Sequence, residues 1–131
     1  MLVAQNKGMK ITNLLFWVQE NRISEKFYNK LGFDVVESAD SHSIVSLSGF
    51  RIILVNMRED ETFTKDSMSS EKGKGMYVYL SCEDVDKTYK KLRDKGILPA
   101  TEPKDWEWGN REFIVKDPDG YKLCFWSALN Q

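Results

Sequence analysis

Residues 108–126 read WGNREFIVKDPDGYKLCFW, and the turn in the second half of this stretch sets how the chain is read. Asp117-Pro118 opens a turn, with φ held near −65° by the proline ring. Gly120 offers the positive φ that lets the chain enter a strand directly. REFIVK (111–116) before the turn and YKLCFW (121–126) after it both read as strands. An earlier stretch, GFRIILV (49–55), repeats the pattern of GYKLCFW (120–126): glycine, aromatic, base, then four mostly apolar residues. KLGF (30–33) and DKGI (94–97) likewise share a helix exit followed by a strand. Repetition of this kind points to a duplicated unit.

Working outward, the same order of elements occurs twice. ITNLLFWV (11–18) is apolar and aromatic, bounded by polar residues, and reads as a buried strand. In NRISEKFYNKLG, Ile23, Phe27 and Leu31 fall on one helical face, with Asn21 as N-cap and Gly32 just past the end. FDVVESA, IVSLSG and FRIILVNM follow as three short strands, turning at Ser41–Ser43 and at Gly49. The polar stretch REDETFTKDSMSSEKGKG then reads as a linker or long loop. The second round is GMYVYLSC as strand, then DVDKTYKKLRDKG as helix with Asp84 as N-cap and Val85, Tyr89 and Leu92 on one face. ILPAT, REFIVK and YKLCFW complete it as strands. The expected class is therefore α+β: a βαβββ module at 9–57, a linker at 58–74 and a second βαβββ module at 75–128, together forming one domain. The first strands align with Asn13 against Tyr77.

Composition narrows the function. The chain has 131 residues, 41% hydrophobic and 30% charged, with a net charge of −1. Its bases are scattered, which argues against a nucleic-acid surface. No apolar run is long enough to cross a membrane. The start, MLVAQNKGMK, lacks the pattern of a secretory signal, and the two cysteines, Cys82 and Cys124, make no disulfide framework. A reducing cytoplasm is the expected location. A single histidine, His42, disfavours metal sites built on several imidazoles. His42 reads as a solvated turn residue, and Glu83, Asp84 and Asp86 as carboxylates offsetting a helix dipole.

Three stretches, SEKFYNKLGF, CEDVDKTYKKLRDKGI and WGNREFIVKDPDGYKLCFW, resemble the vicinal oxygen chelate superfamily, which includes glyoxalases, extradiol dioxygenases and bleomycin-resistance proteins. The resemblance covers both modules and implies cupped mixed sheets around a cavity. In metal-dependent members, the first and last strands of each module supply four ligands, usually histidine and glutamate. Carried onto this sequence, those positions are Asn13, Ile53, Tyr77 and Cys124. None is histidine or glutamate, so the expectation is a member with no metal, no cofactor and no catalytic residue, in which Cys124 is cavity wall. The resemblance also implies a two-fold homodimer, and it leaves open whether modules pair within a chain or between chains.

Strand alternation divides the side chains into two sets. Leu14, Phe16, Val18, Val78, Leu80, Cys82, Leu123 and Phe125 suit the helix side. The opposite set, Asn13, Leu15, Trp17, Ile53, Val55, Tyr77, Tyr79, Ser81, Cys124 and Trp126, is aromatic with a few polar tips, as a ligand pocket would be. Trp106 and Trp108 lie in an acidic loop, where they line a pocket, cap the sheet or pack a dimer. Arg111 offers an anion contact, against the plainer reading of a surface ion pair. The expected ligand-binding residues are Asn13, Leu15, Trp17, Ile53, Tyr77, Tyr79, Trp106, Trp108, Arg111, Cys124 and Trp126. The expected ligand is a small aromatic, cationic molecule. The alternatives are a glyoxalase-type lyase or other metal-dependent enzyme, a metal-free enzyme using Cys124, Tyr77 or Arg111, and a partner-binding module.

Overall fold

The structure is a computed structural model that describes residues 8–59 and 63–130. The chain start considered above for an export signal includes residues 1–7, and the linker includes 60–62; both lie outside the described residues. The elements run β1 (Leu14–Val18), α1 (Asn21–Leu31), β2 (Asp34–Ser38), β3 (His42–Leu47), β4 (Phe50–Asn56), α2 (Thr64–Ser67), β5 (Tyr77–Ser81), α3 (Val85–Asp94), β6 (Lys104–Asp105), β7 (Asn110–Lys116) and β8 (Lys122–Ala128). They form two four-stranded mixed sheets of the same plan, β1-β4-β3-β2 and β5-β8-β7-β6. The class is α+β. In each sheet the first strand runs parallel to the last and the others are antiparallel. A parallel pair needs a crossover, and the helix with its following strands provides one in each half.

The register repeats as well as the order. Leu15 faces Ile53 in the first sheet, and Tyr79 faces Cys124 in the second. The alignment that sets Ile53 against Cys124 and Asn13 against Tyr77 therefore reproduces the pairing of both parallel strand pairs.

Local chemistry explains the turns. Ser48 and Gly49, with φ of 50° and 83°, join β3 to β4 as a two-residue turn that matches the twist of the hairpin. At the β7–β8 turn, Asp117 Oδ1 accepts from the amides of Asp119 (2.9 Å) and Tyr121 (3.0 Å), and Gly120 takes φ 101°. Gly32 closes α1 at φ 112°, and the Asp84 side chain caps α3 by accepting from the Lys87 amide.

Three details differ from the sequence reading. Asn21 is the first residue of α1 rather than its cap; Glu20 takes the cap position without a side-chain bond. The buried face of α1 is Asn21, Ser24 and Tyr28, while Ile23 is 53% exposed; Phe27 and Leu31 pack at the margin. ILPAT is not a strand: Pro99 has no N–H for a ladder, and the short edge strand forms instead at Lys104–Asp105.

One core crosses both halves, from Phe16, Val18, Tyr28, Ile52 and Leu54 to Val85, Leu92, Phe113, Val115, Leu123 and Phe125. Of the set expected on the helix side, Phe16, Val18, Leu123 and Phe125 are buried, with Leu14, Val78, Leu80 and Cys82 packed against them, but Leu14, Phe16, Val78 and Leu80 also reach the cavity at the sheet edges. The β7–β8 turn docks on the β1–α1 junction. Tyr121 stacks on Phe16 with ring centroids 3.8 Å apart and donates to the Trp17 carbonyl at 2.8 Å. Asp119 Oδ1 accepts from the Gln19 amide at 2.7 Å, and Asp117 Oδ2 accepts from the buried Tyr28 hydroxyl at 2.7 Å. No helix among the described residues is long and apolar enough to cross a membrane.

Candidate functional site

The edge strands of the two sheets, β1 and β5, border a cavity of about 890 Å³. Period-two alternation along β1 sends Leu15 and Trp17 to one side and Leu14 and Phe16 to the other, and all four reach the cavity wall. Met76, Tyr77 and Tyr79 contribute from β5 and its approach, with Phe33, Leu47, Phe50 and Tyr121 completing the apolar wall. Residues from Asp66 to Lys74 close one side. This part of the linker is not loose chain: α2 sits within it, and Ser67 Oγ accepts from the Arg58 amide at 2.6 Å. The Lys72 ammonium donates to the carbonyls of Ser67 (2.8 Å), Asp66 (3.4 Å) and Ser69. Gly73 is required here, because a Cβ would lie 2.8 Å from the Tyr121 ring.

Asp66, Glu71, Lys72, Lys74 and Lys122 are the charged residues on the lining. Lys74 pairs with Glu71 at 3.2 Å, and the Lys122 ammonium lies over the Tyr77 ring, 4.5 Å from its centroid. Trp17 is half-buried and leans on Phe63 at 5.5 Å.

The expected binding residues distribute as follows. Leu15, Trp17, Tyr77 and Tyr79 line the cavity together. Asn13 precedes β1 and is exposed, its amide donating to Thr12 Oγ1. Ile53 lies beside Leu15 on β4, Cys124 beside Tyr79 on β8, and Trp126 beside Ser81, one strand in from the edge, and none of the three lines the cavity. Trp106 and Trp108 stack on each other at 4.6 Å, and neither lines the cavity. Arg111 binds Asp86 and Asp105, which hold its guanidinium well above the usual range; this is the surface ion pair of the plainer reading. His42 opens β3 rather than sitting in the turn, and its Nε2 lies 2.5 Å from Glu37 Oε2.

A further polar centre was hidden from the sequence. Glu112 on β7 is buried, and its carboxylate accepts four hydrogen bonds: Trp108 Nε1 at 2.9 Å, Asn110 Nδ2 at 3.2 Å, Tyr79 Oη at 3.3 Å and Cys124 Sγ at 3.4 Å. Burial pushes its carboxyl up, but these four bonds outweigh burial and hold it below its ordinary value. The signal available in the sequence was alternation. In REFIVK, Glu112 shares its parity with Ile114, and their partners on β8 are Trp126 and Cys124.

The same contacts set the chemistry of Cys124. Burial, then Glu112, pushes its thiol up to about 12. At neutral pH such a thiol holds about a thousandfold less thiolate than one near 9, so it is a poor nucleophile and a poor ligand. Alkylation by iodoacetamide at pH 7.5 is therefore expected to be at least a hundredfold slower at Cys124 in the folded protein than in denaturant. Peptide mapping of the alkylated protein checks this, and equal rates would refute it.

The four positions that the resemblance marks for a metal thus offer an amide, an alkyl chain, a phenol and a thiol held protonated. This donor set does not fit a divalent ion. Among the described residues, no three His, Cys, Asp or Glu side chains gather where they could hold one.

Residues 10–125 match the Glyoxalase/Bleomycin resistance protein/Dioxygenase superfamily, and the chain belongs to it. Among individual relatives, a bleomycin resistance protein of Geobacillus stearothermophilus is 32% identical over 113 residues, spanning 79% of this chain and 85% of that protein. Protein YraH of Bacillus subtilis is 29% identical over 118 residues, spanning 85% and 92%. A Nocardioides structure titled as a glyoxalase/bleomycin resistance protein/dioxygenase shares the fold at TM-score 0.77 and 21% identity, covering 98% of this chain and 87% of that one.

Proposed function

We propose that this chain is a metal-free binding protein that sequesters a flat aromatic, cationic small molecule. The observation that carries the reading is the cavity between β1 and β5, whose lining includes Trp17, Phe50, Tyr77 and Tyr79 together with the charged Asp66, Glu71, Lys72, Lys74 and Lys122. Flat rings gain stacking there at about 0.5–1.5 kcal/mol per good contact. The similarity to a bleomycin resistance protein supports the class of ligand, and the misfit of the four donor positions favours binding over metal-dependent lyase chemistry. A second copy is the expected partner, since the half-exposed Leu15, Tyr77 and Tyr79 leave apolar surface to cover. The expected location is the cytoplasm.

The test is tryptophan fluorescence of metal-stripped protein titrated with bleomycin and smaller cationic aromatics, with EDTA throughout. Saturable quenching is the expected result. Binding or turnover that appears only after a divalent metal is added would overturn the proposal.

A further inference from the structure

We propose that Glu112 is the counter-ion for the ligand's cationic group, drawing it against Tyr79 and Trp126 on the open face of the second sheet. The inference rests on the binding function above and assigns its charge preference to one residue.

Three observations carry it. First, the carboxylate is buried at 5% exposure, and all four of its hydrogen-bond partners are neutral. A charge satisfied by neutral donors keeps its field, and in a poorly polarisable setting that field reaches farther than in water. Second, the bases on this face are turned to other work. Lys104 faces Glu112 in the β6–β7 register, yet its ammonium lies over the Trp106 ring, 4.1 Å from the centroid. Lys122, two positions from Cys124 on β8, lies over Tyr77. The base opposite this carboxylate, Lys104, is thus placed on a ring, and among the described residues no base forms an ion pair with Glu112. Third, the two oxygens are not equivalent. Oε2 takes the shorter bonds, from Trp108 and Asn110, whereas Oε1 takes the two longest, from Tyr79 and Cys124. Oε1 is therefore the oxygen beside the aromatic set.

Position fits the role. Glu112 faces Trp126 across β7–β8, and Trp126 in turn faces Ser81 across β5–β8; the next row toward the turn is Ile114, Cys124 and Tyr79. The Tyr79 hydroxyl donates to Oε1 while half of that residue is exposed. A phenol donating to a carboxylate is electron-rich, which strengthens the attraction of its face for a cation. Because Tyr79 also lines the cavity, a ligand stacked there lies within reach of this charge.

The alternative is that Glu112 only ties the Trp108 loop to the sheet. Such a role would affect stability without affecting charge preference. The deciding comparison uses two molecules of the same shape, N-methylquinolinium and 1-methylnaphthalene, titrated into the whole chain and followed by protein amide and indole NMR shifts. The wild type is expected to prefer the cation at least tenfold, with the Trp126 indole among the shifted signals. Glu112→Gln should bring the ratio of the two affinities near one, whereas Glu112→Asp should retain a preference. Equal binding of both molecules by the wild type would overturn the inference and leave a binding function for flat aromatics without charge preference. A preference that survives in Glu112→Gln would also overturn it. Failure of both molecules to bind the wild type would overturn the binding function and this inference together.

Discussion

Asp117→Ala is expected to destabilise the protein by about 3–5 kcal/mol, more than any surface substitution, while Asp117→Asn folds and loses much less. Asp117 is 5% exposed and accepts from three donors: the Tyr28 hydroxyl, the Asp119 amide and the Tyr121 amide. Alanine strands all three, and the Tyr28 side chain is wholly buried, so water cannot replace the acceptor. The same turn joins the halves of the chain, because Tyr28 belongs to α1 and Tyr121 stacks on Phe16. In asparagine, the amide oxygen can take the two backbone amides, and the Tyr28 hydroxyl can accept from the amide nitrogen.

The pair of variants also separates hydrogen bonding from charge. Burial raises the Asp117 carboxyl from 3.8 to about 6, against the lowering effect of its hydrogen bonds. A raised folded value means that the native state binds the proton more tightly than the unfolded chain does. The associated stability is fully present below pH 4 and is lost as pH rises through about 6. A shift of about two units corresponds to roughly 3 kcal/mol across that window. Glu112 acts in the opposite sense: its carboxyl is held low, so its contribution is present above its unfolded value and is lost as pH falls through the lower folded one. Between pH 4.5 and 7 the Asp117 effect should dominate, and the wild-type melting temperature should fall with rising pH. In Asp117→Asn that slope should flatten. Calorimetric melting of both proteins at half-unit pH steps tests this, and parallel curves would refute it.

What could be read in the sequence was what local chemistry dictates. Gly120, Gly32 and Asp84 take the backbone roles their residue types favour, because a positive φ or a capping carboxylate is a property of one residue and its neighbours. The doubled register followed from GFRIILV and GYKLCFW, since side-chain period in a strand fixes face and pairing together. The face of α1 was misread for the complementary reason. Aliphatic spacing picks out Ile23, Phe27 and Leu31, but the helix buries Asn21, Ser24 and Tyr28. Their partners are distant in sequence: Asn21 donates to the Ala39 carbonyl and to Ser43 Oγ, Ser24 reaches Asp119 and Tyr28 reaches Asp117. No periodicity analysis finds a polar residue whose burial is compensated from a distant part of the chain. Glu112 escaped notice in the same way, as a carboxylate in a predicted strand whose four donors converge on it only in the fold. Trp106 and Trp108 show the converse, since aromatic composition alone does not distinguish rings that stack on each other from rings that line a cavity.

Trp17→Ala should weaken binding of a flat aromatic ligand at least tenfold while lowering stability much less than Asp117→Ala does. The Trp17 ring lines the cavity from the same face of β1 as Leu15, and its ring partner among the described residues is Phe63, just before α2. Its carbonyl, not its side chain, receives the Tyr121 hydroxyl, so truncation leaves the junction between the halves intact. The indole therefore contributes area and stacking to the cavity more than to the core. Losing one stacked face and the area it buries costs about 1.4–2 kcal/mol, which is about a tenfold to thirtyfold change in affinity. Trp17→Phe keeps a flat ring of smaller area and should restore most of the loss. Ile44→Ala is a suitable control: it lies on the same face of the first sheet, two strands from Trp17, and does not line the cavity. Calorimetric titration of the three variants with the compound that quenches best separates the outcomes. Equal weakening in Trp17→Ala and Ile44→Ala would mean that the ligand sits elsewhere on the sheet, and unchanged affinity in Trp17→Ala would remove the β1–β5 cavity from the binding function.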